Sequence, residues 1–148
     1  VCRFTQISVA SHTRSTFWLV NTGRKSVEPK LLLDEPYVSR EVGSGTREFT
    51  DQYLRRCQVA PEDLNIVMEL GSPEAIKGVI EMGHGVSIMS RTRVVKERKL
   101  GMLVAVPLEP HLIRTFSFIY PREKFRSRLF TAFVEYATER MRAMASEA

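Results

Sequence analysis

Apolar residues recur along this chain in two alternating periods, one of strands and one of helices. Tyr37 to Ser39 reads as a short strand after Glu35-Pro36, with a short helical turn at Lys30 to Asp34 before it. Phe49, Tyr53, Leu54 and Cys57 share one face of a helix predicted over Arg47 to Cys57. A Pro61-Glu62-Asp63 turn leads to Asn65 to Leu70, an apolar run that predicts a buried strand. Gly71-Ser72-Pro73-Glu74 then starts a helix, with a hydroxyl at the N-cap, proline at the first helical position and an acid in the first turn. Ile76, Val79 and Ile80 form its apolar face, and Gly83 ends it.

Beyond that point the pattern predicts a strand over Val86 to Met89 and a peripheral helix over Arg91 to Lys99, capped by Ser90. Strands follow over Met102 to Val106 and Thr115 to Tyr120. The last helix is capped by Ser127 and carries an apolar stripe of Phe130, Phe133, Val134, Ala137, Met141 and Met144. Val1 to Arg24 is the least patterned part. There Phe17 to Val20 reads as a strand, while Ser11 to Ser15 and Asn21 to Lys25 read as polar connections.

Strands and crossover-length helices in alternation predict an α/β fold with mostly parallel strands and right-handed crossovers. Ligands of such sheets gather at the C-terminal ends of the strands. Two glycine-bearing helix starts are predicted there: Gly43, Ser44, Gly45, Thr46 and Arg47 after one strand, Gly71 and Ser72 after the next. Each offers backbone N–H groups and a hydroxyl to an anion or a polar small molecule. The hydroxyls of Ser44 and Thr46 can cap the helix and contact a ligand together, whereas a cap alone already accounts for Ser72. Arg40 and Arg47 either neutralise an anion or pair with Glu41 and Glu48.

The 148 residues, 43% of them hydrophobic, suffice for one core. A net charge of +5 invites a nucleic-acid reading. Its clusters at 91–99 and 122–128 lack aromatic interleaving, and no helix-turn-helix pattern is present, so a solvated surface is the simpler account. Cys2 and Cys57 have neither disulfide nor metal spacing, and His12, His84 and His111 lack metal-like partners, so neither metal nor cofactor is expected. No apolar stretch is long enough to span a bilayer and no signal peptide is visible, which predicts a reduced, cytoplasmic chain without a membrane partner. Enzyme motifs fail on spacing. Val42 and Thr46 stand where a nucleophile elbow around Ser44 needs glycines, and the glycine turn has no lysine for a phosphate loop.

Four motifs occur in order: R-E-x-G-S-G-T-R at Arg40 to Arg47, L-G-S-x-E-A-I-K at Leu70 to Lys77, E-x-G-x-G-V-S-I-M-S at Glu81 to Ser90, and L-V-A-V-P-L at Leu103 to Leu108. Together they resemble the effector-binding domain of LysR-type transcriptional regulators, over roughly Leu31 to Glu139. The resemblance implies a periplasmic-binding-protein-like (type II) α/β fold of two lobes, with a small, anionic metabolite held between them. It implies effector contacts at Gly43, Ser44, Gly45, Thr46, Arg47, Gly71 and Ser72. It also implies self-association as a dimer or tetramer, and control of DNA binding through a helix-turn-helix domain absent from this chain. Residues 17–122 correspond to the second lobe and residues 123–148 to the helix that returns to the first, while residues 1–16 match nothing in the family pattern. A truncated chain is therefore expected, and a non-functional remnant is one alternative. A solute-binding protein of a transporter is the other, and an enzyme on the same scaffold is a further rival.

Overall fold

The computed structural model describes residues 4–15, 26–121 and 127–146, with side chains for 26–113 and 127–140. The chain divides into two compact units, one of Ser15–Leu112 and one of Val1–Arg14 with Ile113–Ala148.

The larger unit is built around strand β2 (Tyr37–Arg40), which pairs in parallel with β3 (Ile66–Leu70). Tyr37 stands opposite Ile66 and Arg40 opposite Leu70, with an irregularity after Tyr37. On its other edge Val38 N–H donates to Val86 O (2.8 Å) and Val86 N–H to Pro36 O (2.8 Å), a parallel bridge between Tyr37 and Val86. Helix α1 (Gly45–Arg56) connects β2 towards β3, and α2 (Pro73–Glu81) follows β3. Both helices bury the face their spacing predicts: Tyr53 and Leu54 from α1, Ile76 and Ile80 from α2, packed with Val38 in one apolar cluster. Side chains removed from water on this scale are the dominant stabilising term of such a unit.

Local signals place the other elements of this unit closely. A 3-10 helix runs over Pro29–Asp34, another over Pro61–Asp63, and Gly83 takes a φ of +80° after the end of α2. Four expectations change. Strand β3 is not buried: Val67, Met68 and Glu69 are exposed, because this edge of the two-stranded sheet carries no further strand among the described residues. Val86 to Met89 is buried, and in place of the expected strand it shows an isolated bridge from Val86 to Tyr37. The helix predicted over Arg91 to Lys99 splits into a 3-10 turn at Arg91–Arg93 and a short α3 (Val95–Lys99). The break falls where Val94 is drawn into the core, and the Ser90 hydroxyl meets Thr92 Oγ1 at 2.9 Å instead of capping. Met102 to Val106 buries Leu103 and Val106 and exposes Met102 and Val104, and it forms no strand pairing among the described residues.

Helix α3 is tied to α2 by Lys77 Nζ, which donates to Glu97 Oε1 at 2.7 Å; that hydrogen bond holds the Glu97 carboxyl below its usual range.

In the smaller unit β1 (Phe4–Ser15) pairs with β4 (Leu112–Pro121), most of which lies in this unit. Ser11 to Ser15 thus belongs to a strand and not to a polar connection, while the strand predicted at Phe17 to Val20 lies outside the described residues. Helix α4 (Arg128–Ser146) begins as predicted, Phe130 N–H donating to Ser127 Oγ at 3.1 Å. Its half-buried row is Phe130, Val134 and Ala137, and Phe133, expected in that row, is 61% exposed. Met141 and Met144 lie outside the described side chains.

Candidate functional site

The chain leaves β2 through a tight turn in which Ser44 N–H donates to Glu41 O at 3.2 Å. Gly43 takes a φ of +86° there, a conformation that costs a residue with a Cβ. Ser44 is the N-cap of α1: its backbone is extended and its Oγ accepts from Thr46 N–H at 3.3 Å. Glu48 N–H to Ser44 O (3.0 Å) is the first bond of the helix proper. The first-turn N–H groups of an α-helix have no partner within the helix, so this end of α1 is electropositive.

Beside it lies a polar depression at the C-terminal end of β2. Strand β2 contributes Tyr37, Ser39 and Arg40, α1 contributes Thr46, Arg47, Thr50 and Asp51, and the bridged segment contributes Ser87 and Ile88. Thr46 with Thr50, and Arg47 with Asp51, stand four residues apart, so helical geometry turns each pair to one side.

Both arginines are already engaged. Arg40 grips Glu41 through Nε to Oε2 and Nη2 to Oε1, each 2.8 Å. Arg47 Nη1 donates to Glu69 Oε1 and to Arg40 O (3.1 Å), and its Nε lies 4.0 Å from Asp51 Oδ2. Burial pushes the Asp51 carboxyl above its usual range, against the opposing pull of Arg47 and Arg55. The Tyr37 hydroxyl is raised well above its ordinary value, chiefly by burial, and its partners there are the Ile88 backbone and the Ser87 side chain. It stays a neutral phenol. Ser39 Oγ donates to Arg40 O at 3.1 Å. Thr50 is only 5% exposed, lines the depression, and has no hydrogen-bond partner among the described residues.

Of the residues expected at a site, Thr46 and Arg47 line the depression. Gly43, Ser44 and Gly45 form the turn and helix start that place them. Gly71 and Ser72 stand at the end of β3, on the same end of the sheet, but outside that lining. Ser72 Oγ is satisfied locally: it accepts from Ala75 N–H (3.4 Å) and donates to Glu74 Oε2 (3.2 Å). Tyr37, Ser39, Thr50, Asp51 and Ser87 escape sequence reasoning. Helical spacing from Thr46 and Arg47 points to Thr50 and Asp51, while nothing local points to Ser87. Among the described residues no group of three His, Cys, Asp or Glu side chains is placed to hold a metal, and no helix is long and apolar enough to cross a membrane.

A parallel α/β unit with its polar depression at the strand ends belongs to a large class of ligand-binding folds. The model of the LysR substrate binding domain matches residues 19–142. The chain belongs to that family. It is 39% identical over 115 residues to the uncharacterized HTH-type transcriptional regulator YeiE of Escherichia coli strain K12, covering 76% of this chain and 38% of that protein. The chain therefore spans well under half the length of that relative. In structure it is similar to the CcmR regulatory domain of Synechocystis PCC6803 in complex with 2-PG, with a TM-score of 0.76, 23% identity, and coverage of 97% of this chain and 68% of that one. It is also similar to the effector binding domain of QuiR in complex with shikimate, with a TM-score of 0.74, 16% identity, and coverage of 95% and 66%. These structural likenesses establish the fold, which is the periplasmic-binding-protein-like α/β class expected from the motifs.

Proposed function

We propose that this chain is the effector-sensing and self-associating part of a LysR-type transcriptional regulator. A small, anionic metabolite binds in the depression beside the N-terminus of α1, and DNA is read by a helix-turn-helix domain outside this chain. In this reading the unit Ser15–Leu112 is one lobe of the sensor, the helix within residues 123–148 belongs to the other unit, and the regulator works in the cytoplasm. The ligand changes no covalent bond. Its differential affinity for two arrangements of the lobes shifts their populations, and the attached domains respond.

The observation that carries the reading is the meeting of the first turn of α1, the Arg47 guanidinium and the Thr50 hydroxyl, unpartnered among the described residues, at the end of one parallel strand. The name of the 39% identical relative, a transcriptional regulator, favours this role over that of a transporter's solute-binding protein. The ligands named with the two similar structures, 2-PG and shikimate, favour a small polar effector.

Calorimetric titration with a panel of small hydroxylated carboxylates tests the placement. Thr46→Val keeps the shape and removes the hydroxyl, so affinity should fall about tenfold, the worth of one good hydrogen bond. A panel member that binds both proteins equally well would put the ligand elsewhere.

A further inference from the structure

We infer that the effector of this depression carries at most one negative charge and at least one hydrogen-bond-donating group, a hydroxyl or an ammonium, directed at Asp51. This rests on the reading of the depression as the effector site.

The charges around the depression are nearly spent on one another. Arg40 gives two hydrogen bonds to Glu41, and Arg47 is held by Glu69 with Asp51 4.0 Å away. With these partners counted, two guanidiniums face three carboxylates. A dianion entering here must strip a carboxylate from its arginine or settle beside Asp51, and like charges at such range repel. A single carboxylate has an easier place, between the first turn of α1 and the Arg47 guanidinium.

The rest of the lining asks for donors. Ionised Asp51 only accepts hydrogen bonds, and burial has already raised its carboxyl, so a donor from the ligand relieves a cost the folded chain carries. Thr50, 95% removed from solvent and unpartnered among the described residues, offers a hydroxyl able to give or accept. Ser39 Oγ spends its proton on Arg40 O and keeps its lone pairs for an incoming donor. A ligand with hydroxyls satisfies this set, and a bare anion leaves Asp51 and Thr50 unanswered.

The test is a backbone-amide chemical-shift titration of the 148-residue chain, read at Thr46, Arg47, Thr50 and Ser87. The probes are shikimate and gluconate as hydroxylated monoanions, benzoate as a monoanion without hydroxyls, and sulfate as a dianion. At least one hydroxylated monoanion should saturate these amides at a concentration about tenfold below that needed for benzoate or sulfate. In Asp51→Asn that lead should shrink and sulfate should bind more tightly. The ranking in the unsubstituted chain stands alone should the variant fold poorly. Sulfate binding as tightly as the hydroxylated monoanions would overturn the charge limit, and benzoate doing so would overturn the donor requirement. Should no probe move these amides, the depression is not the effector site, and the inference falls with that reading.

Discussion

Gly85 joins the turn after α2 to the segment beside β2, at a φ of +135°, and a Cβ there would lie 2.4 Å from the Pro36 carbonyl oxygen. The same oxygen accepts from Val86 N–H, the bond that fixes this segment, and with it Ser87, beside β2. Both the backbone conformation and the space exclude a side chain. Gly85→Ala should therefore destabilise the chain by about 2–4 kcal/mol, read from urea unfolding; a loss under ~0.5 kcal/mol would show that the segment shifts freely. At this scale local chemistry is legible in the sequence. Ser72 and Ser127 each read as a helix cap from residue type and position alone, and each hydroxyl accepts the expected backbone N–H; for α1 the sequence leaves Ser44 and Thr46 as caps, and Ser44 takes the place. Ser87 reads as part of a strand and not as a site residue, since it reaches the depression through a bridge to a strand far away in sequence.

Helix α4 presents Leu129, Phe133 and Tyr136, 81%, 61% and 62% exposed, at a spacing that aligns them on one side. The apolar stripe predicted for this helix lies mostly one position away, because amphipathic spacing shows that a helix has an apolar face without saying which of two adjoining rows meets the unit it belongs to. An exposed row of this size favours a partner surface, and a second copy of the chain fits the self-association proposed above. Sedimentation velocity should show mass rising with concentration, and Leu129→Lys with Phe133→Lys should hold the chain monomeric; a concentration-independent monomer without those substitutions would contradict the proposal. The same distinction between local and non-local signals explains the strands. Elements with their own start signals, α1 and α2, fall within two residues of expectation, while β1 depends on pairing with β4 far along the chain and leaves no local pattern.

For the molecule as a whole, the first two motifs were legible because each marks a helix start at the C-terminal end of a parallel strand, where such folds need one. The charge balance of the depression was not, since Arg47 meets Glu69 only after β2 and β3 pair. The central claim is that a small hydroxylated carboxylate seats where α1, β2 and the segment beside β2 converge. Hydrogen–deuterium exchange of the full chain, with and without a saturating ligand from the calorimetric panel, tests it most directly. Exchange should slow together in the peptides covering 44–50 and 86–89, with no change in Val95–Lys99 of α3. Protection confined to other segments, with these two unchanged, would contradict the account.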